Sequence, residues 1–311
     1  MNSLLETLIF DWPWRPWTTG LLLLCGLLYT WGWQRSRRAY PLLASPARLA
    51  LFWTGLLIVA LAMISPLFLL REELLMARAA QQILLMLLAP PLLWLSCPFH
   101  IVVWGLPPAW RKVVSRRFLR GRTADGRLWR ILTRPGLVWM ATLAIFLFWH
   151  DPQIVSWSLA DPWVYSLGLW LILGIYMLFW WHLVGTAPRI HRALPVWMSA
   201  IYLLVGGELP NMATGVILAF RETPAYVYYA AQASPYGLTA LTDQMTSGGM
   251  IWFIGSVIYV IALLAILGRY FNNEDAPPRL SMRWEATERT IAPGLEARVI
   301  PEQYRREQEY H

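Results

Sequence analysis

The chain has almost no lysine and little acid. A single lysine, Lys112, stands among 26 basic residues, and 18 acidic residues leave a formal net charge of +8. Charged residues make up 14% of the 311 positions, where soluble domains carry about 25%. That shortage excludes an ordinary soluble domain. Cysteine is also scarce: Cys25 and Cys97 each sit inside an apolar run, which excludes a disulfide framework and any C-x-x-C spacing. There is no H-E-x-x-H, no Ser/His/Asp set and no phosphate-cradling glycine loop, so nothing points to catalysis and the chain reads as a non-enzyme. No low-complexity tract or repeat of 20–50 residues is found. The first apolar run lacks a basic n-region and an A-x-A site, and reads as a span rather than a cleaved leader.

What is abundant is apolar. Hydrophobic residues make up 57% of the chain, 20 of them tryptophan. Crossing the hydrocarbon takes about 20 helical residues. Seven stretches qualify, at roughly 17–33, 48–69, 79–104, 135–150, 162–184, 194–220 and 248–269. The expected fold is all-α, a polytopic bundle of seven transmembrane helices over residues 1–270, with a polar tail over 271–311. "PQIVSWSL", after the fourth run, reads as a short interfacial helix.

Orientation follows from the arginines. Loops 34–48, 105–134 and 185–193 hold 15 basic residues and one acid, Asp125. The alternate segments hold four basic residues (Arg15, Arg71, Arg78 and Arg221) against eight acids. The positive-inside rule then places the N-terminus outside and the C-terminus in the cytoplasm. Basic loops between spans face anionic lipid headgroups, so membrane lipid rather than nucleic acid is the expected partner.

With that topology the polar residues share one address. Arg78, Gln81 and Gln82 begin span three. His150 and Asp151 end span four, and Asp161 opens span five. Glu208 and Asn211 lie in "GGELPNMATG", and Asp243 and Gln244 in "LTDQMTSGGMIW". Ionisable groups inside a span face partners in the bundle interior, and Pro210 predicts a kink beside Glu208. These residues predict a polar pocket opening outward. Snorkelling at a solvated rim is the alternative. Met63, Met76, Met212, Met245 and Met250 fall on the same outer half as His150. Thioether sulfur with imidazole suits Cu(I), although methionine also fills core gaps. A haem held by two histidines needs a pair at matched depth; His150 and His182 lie near opposite ends of their spans, while His100, His182 and His191 lie toward the inner face, where only His100 and His182 share a depth.

"QQILLMLLAPPLLWLSCP", "FWWHLVG" and "LTDQMTSGGMIW", in this order and spacing, resemble the CtaG family, multi-spanning bacterial assembly factors associated with caa3-type cytochrome c oxidase. The resemblance runs from about residue 17 to 270. It implies a multi-pass protein of the bacterial inner membrane, a cytochrome c oxidase subunit as partner, and a role in supporting copper loading of that subunit. The family pattern carries two histidines four residues apart in span three. Arg78 and Gln82 stand at those positions here, and arginine stays protonated and cannot ligate. The family's histidine-rich start of span five is also absent from "DPWVYSLGLWLILG". The resemblance retains His150, in place of a His-x-Pro, and Asp243–Gln244. One expectation follows: Arg78 supplies the positive charge itself, paired with Glu208 or Asp243. Two further readings stand beside copper handling: a metal-free scaffold for an oxidase subunit, and a transporter or receptor using the outer pocket and the Pro210 kink.

Overall fold

The structure, a computed structural model, describes residues 12–37, 41, 43–107, 110, 124–186, 190–232 and 236–274. Most of the arginine-rich 105–134 loop and the 275–311 stretch of the tail lie outside the described residues. Every described element is a helix. Two compact units divide the chain, Met1–Ile266 and Leu267–His311; in the second, the described residues are the end of the last helix.

In chain order the helices are α1 (Pro16–Arg37), α2 (Pro46–Ile64), the single turn α3 (Leu67–Leu70), α4 (Leu75–Leu95), α5 (Pro98–Gly105), α6 (Ala124–Leu132), α7 (Pro135–His150), α8 (Pro152–Ala160), α9 (Pro162–Val184), α10 (Val196–Phe220), α11 (Val227–Ala230) and α12 (Ala240–Glu274). Proline starts six of them, at 16, 46, 98, 135, 152 and 162. The first helical turn has no use for that N–H, and the ring fixes a helical φ.

Five helices are long and apolar enough to cross a membrane: α2, α4, α9, α10 and α12. A sixth span arises if Gly126–Leu132 and Pro135–His150, bent by 60°, count together. The expectation was seven. The difference lies at α1, whose 22 residues include tryptophan, threonine and arginine among the leucines. Boundaries also shift. The expected 48–69 span ends at Ile64, because Ser65 and Pro66 open a new turn. The expected 79–104 span is two helices, separated at Cys97, whose φ of 55° is left-handed. The last span starts eight residues earlier than expected, at Ala240 rather than 248.

The interior is aromatic and close-packed. Tyr165, Tyr176, Phe146 and Phe179 are fully buried. α9 lies between α4 and α7, and α2 packs on α1 and α4. α10 and α12 touch backbone to backbone: a Cβ on Gly215 would meet the Trp252 nitrogen at 2.6 Å, and one on Gly248 would meet the Gly215 oxygen at 2.6 Å. Small residues permit such contact where the hydrophobic effect cannot drive helices together. The outside of the bundle is apolar, with Phe253, Ile261 and Leu264 of α12 each exposed by 61–69%. That surface and the long apolar helices are consistent with a multi-pass membrane protein.

Candidate functional site

The ends of α2, α7 and α10 and the starts of α4, α9 and α12 meet at one end of the bundle. Three arginines enter this region, and each lies on aromatic rings. The guanidinium carbon of Arg15 is 3.9 Å from the centre of the Phe68 ring, and that of Arg71 is 3.8 Å from the same ring. Arg71 is also 4.6 Å from the centre of Tyr165. Arg78 lies 5.4 Å from Tyr165 and 3.8 Å from Trp149. The result is an alternating ladder: Arg15, Phe68, Arg71, Tyr165, Arg78, Trp149. Guanidinium suits it, being planar, weakly hydrated and able to stack while its N–H groups bond sideways.

The sideways bonds go mostly to neutral oxygens. Arg15 Nη1 donates to the Met63 carbonyl at 2.7 Å, and Nη2 donates to Ser166 Oγ. Arg78 Nη2 donates to the Trp149 carbonyl at 2.8 Å, and Nη1 lies 3.4 Å from Ser158 Oγ. Arg71 Nη2 bonds Glu72 at 2.6 Å, while its Nε and Nη1 are buried without a partner. Burial drives the Arg71 guanidinium below its ordinary pKa, and Glu72 opposes that. Arg15 is lowered by burial and by the nearby Arg71 charge.

Arg78 therefore pairs with neither Glu208 nor Asp243, and the expected ion pair is corrected. Among the described residues Arg71–Glu72 is the ion pair observed. Arg78 and Asp243 each find a helix end. The Trp149 carbonyl belongs to the last turn of α7, where the macrodipole is negative and carbonyls lack helical partners. Tyr226 completes that cap, donating to the His150 carbonyl at 3.3 Å; burial pushes its phenol up to about 12, so it stays a donor. Asp243 does the reverse at the start of α4. Leu74, in the cap position, has no capping side chain. Asp243 Oδ2 accepts from Leu75 N at 2.6 Å and Oδ1 from Met76 N at 3.0 Å.

The other polar residues lie in separate places, and Glu208 Oε2 is buried without a partner. Gln81 donates to the Ala62 carbonyl and accepts from Tyr165 Oη, both at 2.6 Å. Gln82 is buried one turn beyond Arg78. Gln244 Oε1 accepts from Ala225 N at 2.6 Å, fastening the 221–226 loop. Asp151 is an exposed cap for α8, accepting from Gln153 N and Ile154 N. Asp161 caps α9 through Trp163 N. Glu208 and Asn211 face α12 instead: Glu208 Oε1 accepts from Ser256 Oγ at 2.5 Å, and Asn211 Nδ2 donates to the Ile251 carbonyl at 3.0 Å. The expected kink at Pro210 takes the form of a π-helical turn over Leu204–Glu208.

The expected copper donors lie in different environments. His150 bonds the Phe146 carbonyl through Nδ1 at 2.8 Å, and its Nε2 is buried without a partner. Met212 and Met245 are 40% and 46% exposed. Met63 is buried in the core, and Met76 and Met250 are half-buried. Among the described residues no three His, Cys, Asp or Glu side chains form a metal-holding group. Of the other histidines, His182 lies beside His191, their ring centres 6.3 Å apart. Sequence reasoning missed Arg71, Phe68, Trp149 and Tyr165. The buried Arg71 had the stronger signal, since it interrupts "PLFLLREELL" between two apolar runs.

An all-helical bundle with five helices long and apolar enough to cross a membrane, and with buried, aromatic-stacked arginines at one end, is the class of protein defined so far. The chain matches the family model of cytochrome c oxidase caa3 assembly factors over residues 27–273, and it belongs to that family. No curated protein and no solved structure matches it.

Proposed function

We propose that this chain is a multi-pass factor of the bacterial inner membrane that supports assembly of cytochrome c oxidase by holding an oxidase subunit, without a copper ion of its own. In this reading it crosses seven times, counting α1 and the 126–150 pair, with the arginine ladder at the extracytoplasmic end. The observation that carries the metal-free part is Arg78. It occupies a position where the family resemblance implies a histidine, and it is locked between Trp149 and Tyr165 with its charge spent on the end of α7. Among the described residues no group of three His, Cys, Asp or Glu side chains gathers at the neighbouring His150.

Deletion of the gene tests the reading. Oxidase activity and the oxidase haem spectrum of isolated membranes are expected to fall in the deletion strain. The wild-type chain and His150→Ala are expected to restore them equally, with less than one copper per chain in either purified protein. Normal oxidase in the deletion strain would remove the assembly role. One copper per wild-type chain, lost in His150→Ala, would restore the copper-loading reading and overturn the metal-free one.

A further inference from the structure

The Arg15 end of the ladder opens to the surface. A cavity of about 410 Å³ lies there, lined by Trp14, Arg15, Trp17, Phe68, Trp163 and Ser166. That volume is in the range of small-molecule sites. Its chemistry is divided. Arg15 and Ser166 form a polar floor, joined to each other by a hydrogen bond. Three indoles form the rim, exposed by 84% at Trp14, 83% at Trp17 and 76% at Trp163. Exposed indoles at helix starts are characteristic of the level where headgroups meet hydrocarbon.

The charge at the floor is positive and poorly balanced. Among the described residues Arg15 has no carboxylate partner. Arg71, stacked on the same Phe68 ring, is 1% exposed and keeps two nitrogens without acceptors. The side chain of its partner Glu72 is 46% exposed. α1 begins at the cavity with no acid in its first turn, which leaves the positive end of its dipole uncompensated.

A second space starts one residue further along α1. This apolar groove of about 160 Å³ runs between α1 and α2, lined by Thr19, Leu22, Leu23, Trp53, Leu57 and Ile64 among others. Thr18 lines the cavity and Thr19 the groove, while Met63, next to Ile64, supplies the carbonyl that holds Arg15. A cationic, indole-rimmed cavity beside an apolar groove has the shape of an amphiphile. A free anion would leave the groove unused, and an uncharged lipid would leave Arg15 without a counter-charge.

We propose that the cavity and groove bind one anionic phospholipid, its phosphate against Arg15 and an acyl chain between α1 and α2. The proposal rests on the membrane-spanning part of the reading above, not on the oxidase role. The test uses the full-length protein in nanodiscs of phosphatidylcholine, titrated with phosphatidylglycerol, with bound lipid counted by native mass spectrometry after release. Wild type is expected to retain one phosphatidylglycerol with about tenfold preference over phosphatidylcholine, the scale of one charge-assisted contact. Arg15→Gln is expected to erase the preference. Leu57→Trp, which fills the groove and leaves Arg15 in place, is expected to reduce retention of both lipids. Arg35→Gln, at the far end of α1, is expected to change nothing.

An unfolding temperature in pure phosphatidylcholine that matches wild type shows that each variant is folded. If Arg15→Gln fails that control, Leu57→Trp carries the test. Equal retention of the two lipids by wild type would overturn the proposal. So would a preference that survives Arg15→Gln, or one abolished by inorganic phosphate at millimolar concentration, which would indicate an anion site without a lipid. Oxidase complementation is read separately, so loss of the assembly role leaves this result standing, and the converse also holds.

Discussion

Arg78 and Asp243 show how a buried charge is held here without an ion pair. Each uses the end of a helix as its counter-charge, the carbonyl end of α7 for the cation and the N–H end of α4 for the anion. Arg78→Leu is expected to destabilise strongly. It strands the Trp149 carbonyl, at about 1–3 kcal/mol, and removes a desolvated cation–π contact worth about 2 kcal/mol. Arg78→Lys should recover only part, because an ammonium cannot stack and bond sideways together. Thermal unfolding followed by tryptophan fluorescence in detergent checks this, and equal stability of Leu, Lys and wild type would sink it. Asp243→Ala should cost about 0.5–2 kcal/mol, the usual worth of a cap. Asp243→Asn should cost less, since it keeps an acceptor. The spacing of polar residues at one end could be read along the chain. Their partners could not, because the Asp243 bond joins residues 168 positions apart, and nothing local distinguishes a carboxylate that caps a helix from one that meets an arginine.

At the level of elements, two membrane helices contain a π-helical turn just before proline. In α4 it covers Leu84–Leu88, ahead of Pro90 and Pro91; in α10 it covers Leu204–Glu208, ahead of Pro210. A proline withdraws a donor from the preceding turn, and in hydrocarbon the freed carbonyl needs a partner from elsewhere. In α4 it has one: Trp180 Nε1 of α9 donates to the Met86 carbonyl at 2.8 Å. Trp180→Phe is therefore expected to lose about 1–3 kcal/mol by leaving that oxygen unmet. Pro90→Ala, which returns a backbone donor to the same turn, should reduce the loss. The double-mutant cycle should depart from additivity by more than the usual few tenths of a kcal/mol. Simple additivity would mean that the indole bond is incidental. The motif "LAPPLL" was visible as a break. That it becomes a π turn served by an indole 94 residues away was not.

For the whole molecule, the arginine census predicts that the 105–134 loop and the start of α12 lie on opposite faces of the membrane. In a background lacking Cys25 and Cys97, single cysteines at Ser115 and at the exposed Thr242 are expected to react with an impermeant maleimide from opposite sides, Thr242→Cys in intact spheroplasts and Ser115→Cys only after lysis. Labelling of both from one side would discard the seven-span topology. Sequence by itself determined that the chain is all-helical, because hydrophobic run length and composition are properties of the chain, and its motifs carried the resemblance to the caa3 oxidase assembly family. Tertiary structure decided what those residues do. Which oxygen an arginine reaches, which ring it lies on and which helix end it closes depend on where helices cross, and crossing is set by packing among segments far apart in sequence.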